Sequence, residues 1–203
     1  MRGLDEFNVI MGPMYELEIT LLEVEPPIWR RVAVPETLML AELHDVIQAA
    51  MGWEDAHLHQ FTATDGRRFG RKDPDLDPLD LFADAADTRA VELREVLRSP
   101  GDALRYDDFG DSWHHRVELL AVRDPGVDGL VPVCLDGARA CPPEDCGGSW
   151  GYQELREALA DPAHERHAEL TGWIADYDER GFDPEAFDLD AANAVLRERF
   201  PAA

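Results

Sequence analysis

Two short segments of the chain concentrate the residues most able to do chemistry. Asp107, Asp108 and Asp111 stand beside Trp113, His114 and His115 in YDDFGDSWHH, and Glu144 and Asp145 sit in CPPEDCGGSWGY. Carboxylates and imidazoles in company are the inventory of metal-assisted hydrolysis, where they bind the ion and move protons. Adding HLHQF, the candidate catalytic set is His57, His59, Asp108, Asp111 and His115, with Glu144 or Asp145 as general base. The simpler reading makes Asp108-Phe109-Gly110-Asp111 a turn whose aspartates bond to nearby amides, with Trp113 in the core.

Cys134, Cys141 and Cys146 are the three cysteines of the chain. Zinc, the one cofactor these residues suggest, prefers four sulfur or nitrogen ligands. His57, His59, His114 or His115 would complete such a site. The spacing is looser than a CxxC knuckle, so free buried thiols are the alternative. Gly147, Gly148 and Gly151 precede a helical pattern and could aim amides at an anion, but Glu144 and Asp145 oppose phosphate. The structural account is that the glycines permit a turn while Trp150 and Tyr152 anchor the helix on the body of the protein. Trp29, Arg30 and Arg31 are a candidate partner surface, because Trp and Arg are enriched in binding hot spots. They fit equally a core residue beside snorkelling arginines. His44 reads as helix packing or surface.

These residues must be positioned by an α+β fold. Tyr15, Leu17, Ile19 and Leu21 alternate with Glu16, Glu18 and Thr20, the period of a half-buried strand. Pro26-Pro27 turns the chain, and Ile28 to Val34 continues as a second, antiparallel strand. Leu40, Leu43, Val46, Ile47, Ala50 and Met51 recur at helical spacing before Gly52. His57 to Ala63 returns to strand, which places His57 and His59 on one face, and Asp65-Gly66 turns into Arg67 to Gly70. Residues 72–88 read as a solvated acidic loop with a helical turn around Leu79 to Phe82. Val91 to Leu97 and Ala103 to Tyr106 are short ordered segments. Trp113 to Val122 is a further strand, with Trp113, His115, Val117 and Leu119 on one face. Beyond 141 the pattern is helical: Tyr152, Leu155 and Leu159 share a face, Asp161-Pro162 starts a second helix, and Asp188 or Asp190 caps a third ending near Phe200. The expected organisation is a lead-in at 1–14, a mixed or antiparallel sheet body at 15–140, and a helical region at 141–203 sharing its core.

At 203 residues with 45% hydrophobic content, the chain is long enough for one continuous core. The 43 acidic and 19 basic residues give a net charge of −24, which repels phosphate backbones and anionic membranes. Non-specific nucleic-acid binding, driven by counterion release from Lys and Arg, is therefore disfavoured. The odd cysteine count and the absence of a charged-then-apolar leader favour a reducing cytoplasm, and no apolar run reaches the roughly 20 residues that span a bilayer.

Six fragments in order, PPIWRRVAVP, LHDVIQAAMGW, HLHQF, YDDFGDSWHH, CPPEDCGGSWGY and FDPEAFDLDAAN, cover most of the chain. In them the chain resembles the plasmid pRiA-type ORF-three-like family, bacterial proteins found on plasmids and near insertion elements. The family has no established activity. A resolvase label borne by some relatives finds no basis in these residues, since no nucleophilic Ser backed by arginines and no basic DNA-binding module is recognisable. The opening strand-strand-helix-strand order resembles a β-grasp. The family context, the acidic charge and the lack of a complete catalytic motif together favour a non-enzymatic binding or accessory module linked to mobile elements and working through a protein partner. The alternatives are a metal-dependent hydrolase or nuclease-like enzyme, and a zinc-stabilised structural domain.

Overall fold

The computed structural model describes residues 12–72, 82–124, 131–177 and 181–201. Their elements, in chain order, are β1 (Met14–Leu21), β2 (Ile28–Pro35), α1 (Leu40–Met51), β3 (His59–Ala63), β4 (Arg68–Gly70), β5 (Ala86–Asp87), α2 (Leu93–Val96), β6 (Ala103–Asp108), β7 (His114–Arg123), β8 (Val133–Ala138), α3 (Gly148–Ala160), α4 (His167–Tyr177) and α5 (Leu189–Arg199). The strands form one eight-stranded sheet in the order β5-β4-β3-β6-β7-β1-β2-β8. Every pairing is antiparallel except β4 with β5. The opening β-β-α-β order is the expected one, and β1 lies between β2 and β7, antiparallel to both.

The period-two pattern does its work in β1, whose Leu17, Ile19 and Leu21 are buried together with Ile28, Val32 and Val34 of β2. The apolar face of α1, Leu40, Leu43, Val46 and Ile47, is wholly buried, each large side chain contributing roughly 1.5–3 kcal/mol on leaving water. Gly52 ends that helix at φ +88°, a left-handed conformation that carries no steric cost without a β-carbon.

Arg30 takes a core position between Ile28 and Val32 and is 2% exposed. Its guanidinium donates to the carbonyls of Ala50, Trp29, Ala138 and Arg139 at 2.8–3.0 Å and stands 4.1 Å over the Phe187 ring. Arg30 thus joins the end of α1 to β2 and the chain following β8. Arg31 lies 5.4 Å from the half-buried Trp29 ring and pairs with Glu16 and Glu18. Of the candidate partner surface Trp29, Arg30 and Arg31, the central arginine is an internal tie and Arg31 is engaged by carboxylates.

Other elements depart from the sequence reading. β8 falls within a Pro/Gly-rich connection that carries no clear strand signal. The Asn193 side chain of α5 accepts from the Cys134 N–H and donates to the Cys134 carbonyl, each at 2.9 Å. Helix α4 begins at His167, six residues after Asp161, because Asp161 turns its carboxylate onto the Ala163 amide and holds a local turn. Asp188 caps α5 through the Ala191 amide as expected. One apolar core includes Leu17, Val32 and Val117 of the sheet with Tyr152, Leu155, Ile174 and Leu196 of the helices. Most of the acidic loop, including the helical turn around Leu79 to Phe82 apart from Phe82 itself, lies outside the described residues. Among the described residues no helix is long and apolar enough to cross a membrane.

Candidate functional site

Three connections meet at His57: the α1–β3 link, the FGD turn between β6 and β7, and the CPPED segment before α3. The CPPED segment is fastened to the α1–β3 link, since Trp53 Nε1 donates to the Pro142 carbonyl at 2.9 Å and the Glu54 amide to Glu144 at 3.0 Å. Its following turn presses on the FGD turn, where a β-carbon on Gly148 would stand 2.6 Å from the Asp111 carbonyl oxygen. Between them, His57 Nδ1 lies 3.2 Å from Asp108 Oδ1, and Nε2 lies 3.7 Å from Asp145 Oδ1. A β-carbon on Gly110 would stand 2.2 Å from the His57 ring, so only glycine leaves room for it. Burial pushes the Asp108 carboxyl above its ordinary pKa, opposed by His57 and by the Gly110 amide.

His59 does not join His57. Strand β3 begins at His59, and the chain before it bends, which sends the two rings to different neighbours. The His59 ring stacks on His44 with centroids 3.5 Å apart and planes 9° from parallel. His44 Nε2 is 2.6 Å from Asp55 Oδ1, and His44 Nδ1 is 2.9 Å from the Tyr106 hydroxyl. Gln48, one helical turn beyond His44, donates to the same hydroxyl at 3.1 Å and accepts from the Asp55 amide at 3.0 Å. With Gln48 so oriented, the Tyr106 proton is directed at His44 Nδ1, and Nε2–H faces Asp55. Burial, then the neighbouring His44, lower His59 to a pKa of about 3, and its Nε2 is buried without a partner among the described residues. For Asp55, burial pushes upward, but the hydrogen bond and charge of His44 outweigh it, so its pKa is lowered. A pocket of about 390 Å³ opens here, lined by Asp55, Ala56, His57, Leu58, His59 and Arg71.

The remaining candidates go elsewhere. His115 is fully buried, edge-on to Trp53 at 5.3 Å and to Tyr106 at 5.2 Å, and burial holds its pKa at about 3. Glu144 serves as an amide acceptor for Glu54, and Asp111 lies against Cys146 with one carboxylate oxygen buried and unpartnered among the described residues. Of the proposed catalytic set, the fold therefore joins His57, Asp108 and Asp145, but not His59, Asp111, His115 or Glu144. The three cysteines also separate. Cys134 Sγ is 3.5 Å from the Asp136 carbonyl, Cys141 Sγ is 3.0 Å from Met51 Sδ, and Cys146 Sγ is 4.0 Å from the Gly148 carbonyl. Among the described residues, three ligand atoms of His, Cys, Asp or Glu gather within 4.8 Å only at His44, Asp55 and His59, which corrects the cysteine-zinc expectation.

Trp150 does not anchor α3. It is 84% exposed, while Tyr152 is buried and packs against Trp113 and Phe182. Residues two apart on a helix point about 200° apart, so one of this pair had to face water. The sequence also carries a signal for His44: His44 and Gln48 place two polar side chains at i, i+4 within the otherwise apolar buried surface of α1.

The architecture is an open, mostly antiparallel α+β sheet with helices packed into its core. Residues 13–191 match the family described as plasmid pRiA4b ORF-3-like protein, and the chain belongs to that family. It is 43% identical over 173 residues to the uncharacterized protein y4hQ of Sinorhizobium fredii (strain NBRC 101917 / NGR234), covering 83% of this chain and 86% of that one. The crystal structure of the protein of unknown function MM3350 from Methanosarcina mazei Go1 is similar with a TM-score of 0.77 and 32% identity, over 89% of this chain and 97% of that chain.

Proposed function

We propose that the chain is a non-enzymatic binding module that meets a protein partner across the junction of the FGD and CPPED segments, in an accessory role to the mobile elements its family's plasmid association suggests. Trp150 carries this reading. Its indole is 84% exposed on the first turn of α3, while the backbone beneath it is pinned by Gly148 against Asp111 and by Gly151 against the Cys146 carbonyl. A large apolar side chain left in water adds nothing to folding, whereas Trp is enriched among the anchors of protein interfaces. Phe109, on the FGD turn, is 48% exposed and adds apolar surface. The exposed Asp145 and the net charge of −24 favour a partner segment that is basic as well as apolar.

A photo-crosslinking amino acid at position 150, introduced in the native host, tests the reading against the same group at the exposed Gln153. A discrete protein adduct specific to position 150, lost from affinity purification in Trp150→Ala without a change in melting temperature, is the expected outcome. Equal labelling at both positions would remove the support.

The placement of His57 between Asp108 and Asp145 favours one second reading, metal-dependent hydrolysis at the same junction. Phosphate-ester turnover with added manganese or zinc, abolished in a folded His57→Ala variant, would replace the binding-module reading with that one.

A further inference from the structure

We infer that His44, Asp55 and His59 form a binding site for a divalent first-row transition-metal ion, in a pocket that also borders His57 of the FGD–CPPED junction. One ligand atom from each lies within 4.8 Å of the others, drawn from α1, the link after it and the start of β3. Two imidazoles with one carboxylate suit zinc, cobalt, iron or manganese, whereas magnesium and calcium favour all-oxygen shells.

Ordinary packing does not account for the cluster. His44 is satisfied on both sides, by Asp55 and by Tyr106. His59 is not: it is 6% exposed, and Nε2 is buried without a partner among the described residues. Leaving a buried ring nitrogen unpaired is unfavourable, and a metal ion is a partner that a nitrogen lone pair can take.

The surroundings are those of a metal centre. Tyr106 fixes the outer nitrogen of His44, and Gln48 holds the backbone of Asp55, so groups outside the ligand set orient two of the three ligands. Donors bound at about 2.0–2.2 Å in a tetrahedral shell stand about 3.3 Å apart, so as the ion enters His44 Nε2 must give up its proton and draw away from Asp55, now at 2.6 Å, and the stacked His44 and His59 rings must tilt until both in-plane lone pairs meet the ion. Asp55, with a side chain 37% exposed, has room to move. Three protein ligands leave a coordination position for water or a small anion, and the pocket of about 390 Å³ walled by Asp55 and His59 can admit it.

Titrating metal-stripped, full-length protein with Co²⁺ and following the visible ligand-field bands tests the site, with Zn²⁺ displacement giving the affinity. One ion per chain is expected. Binding should weaken at least about 100-fold in both His59→Gln and Asp55→Asn and be unchanged in Cys146→Ser, since even groups outside the ligand set are worth 10–100-fold. Should His59→Gln fail to fold, the exposed Asp55→Asn decides alone. The site is overturned by no saturable spectrum, by an undiminished spectrum in Asp55→Asn, or by a thiolate charge-transfer band that vanishes in Cys141→Ser.

Discussion

Gly148 closes onto the main chain of Asp111, so that a β-carbon at residue 148 would stand 2.6 Å from the Asp111 carbonyl oxygen. Gly148 also has φ +67°, a conformation that other residues adopt only under strain. Gly148→Ala should therefore cost more than about 1 kcal/mol. Gly172, inside α4, is the control, because a β-carbon added there would meet nothing within 4 Å. Gly172→Ala should stabilise by about 0.5–1 kcal/mol, as alanine does in a helix interior. Paired thermal melts that shift in opposite directions would confirm that the junction, rather than glycine replacement as such, is what matters.

Arg30 binds main-chain oxygens of Ala50, Ala138 and Arg139 that belong to different parts of the fold. Arg30→Ala leaves these acceptors facing a cavity, and a loss of about 3 kcal/mol or more is expected. Urea denaturation of the variant measures it. Arg30→Lys should recover only part, because an ammonium cannot reproduce the planar fork that spans these carbonyls.

Acid should weaken the metal-free protein earlier than its carboxylates would suggest. Burial holds His115 at about 3 in the folded state, against about 6.5 in an unfolded chain. Between those values the unfolded state carries the extra proton, so stability is greatest above pH 6.5 and falls as pH drops towards 3, by up to roughly 1 kcal/mol per pH unit. Asp108 acts in the opposite sense, because its raised pKa lets the folded state take up a proton first. Urea curves at pH 7 and pH 5 should show a smaller loss in His115→Leu than in the parent chain. An identical loss would remove His115 from the account.

The thiols should be slow to react. Burial raises Cys141 to about 11, and burial together with Asp111 raises Cys146 to about 12. At neutral pH very little thiolate is present at either. Alkylation with iodoacetamide, counted by intact-protein mass, should label neither Cys141 nor Cys146 within minutes in the native protein and both after unfolding.

The elements legible in the sequence are those with a pure period. β1, β2 and α1 each bury one regular face, so alternation and helical spacing suffice. β8 is hidden because Leu135 on one side and Cys134 on the other carry too little contrast within a Pro- and Gly-rich stretch. The site is half legible. The FGD and CPPED segments stand out by residue type, and they do meet, but alternation puts His57 and His59 on one face because the bend before β3 has no proline or glycine to announce it. Cys134, Cys141 and Cys146 share only proximity in sequence, and each is drawn to a different neighbour in the core. His44 gives little warning because a lone histidine on a helix is ordinary; only its pairing with Gln48 and the stacking of His59, a long-range contact, distinguish it.

The Asn193 amide bonded to both main-chain groups of Cys134 has a consequence for how copies of this chain behave together. It occupies, at one rung, the place an incoming peptide would take on the outer side of β8, while the opposite end of the sheet is only two residues long in β5. A chain stripped of α5 would present β8, with Val133 and Leu135 already exposed, as an open edge on which a second copy can pair. The last helix is in this sense a guard on the sheet's open edge.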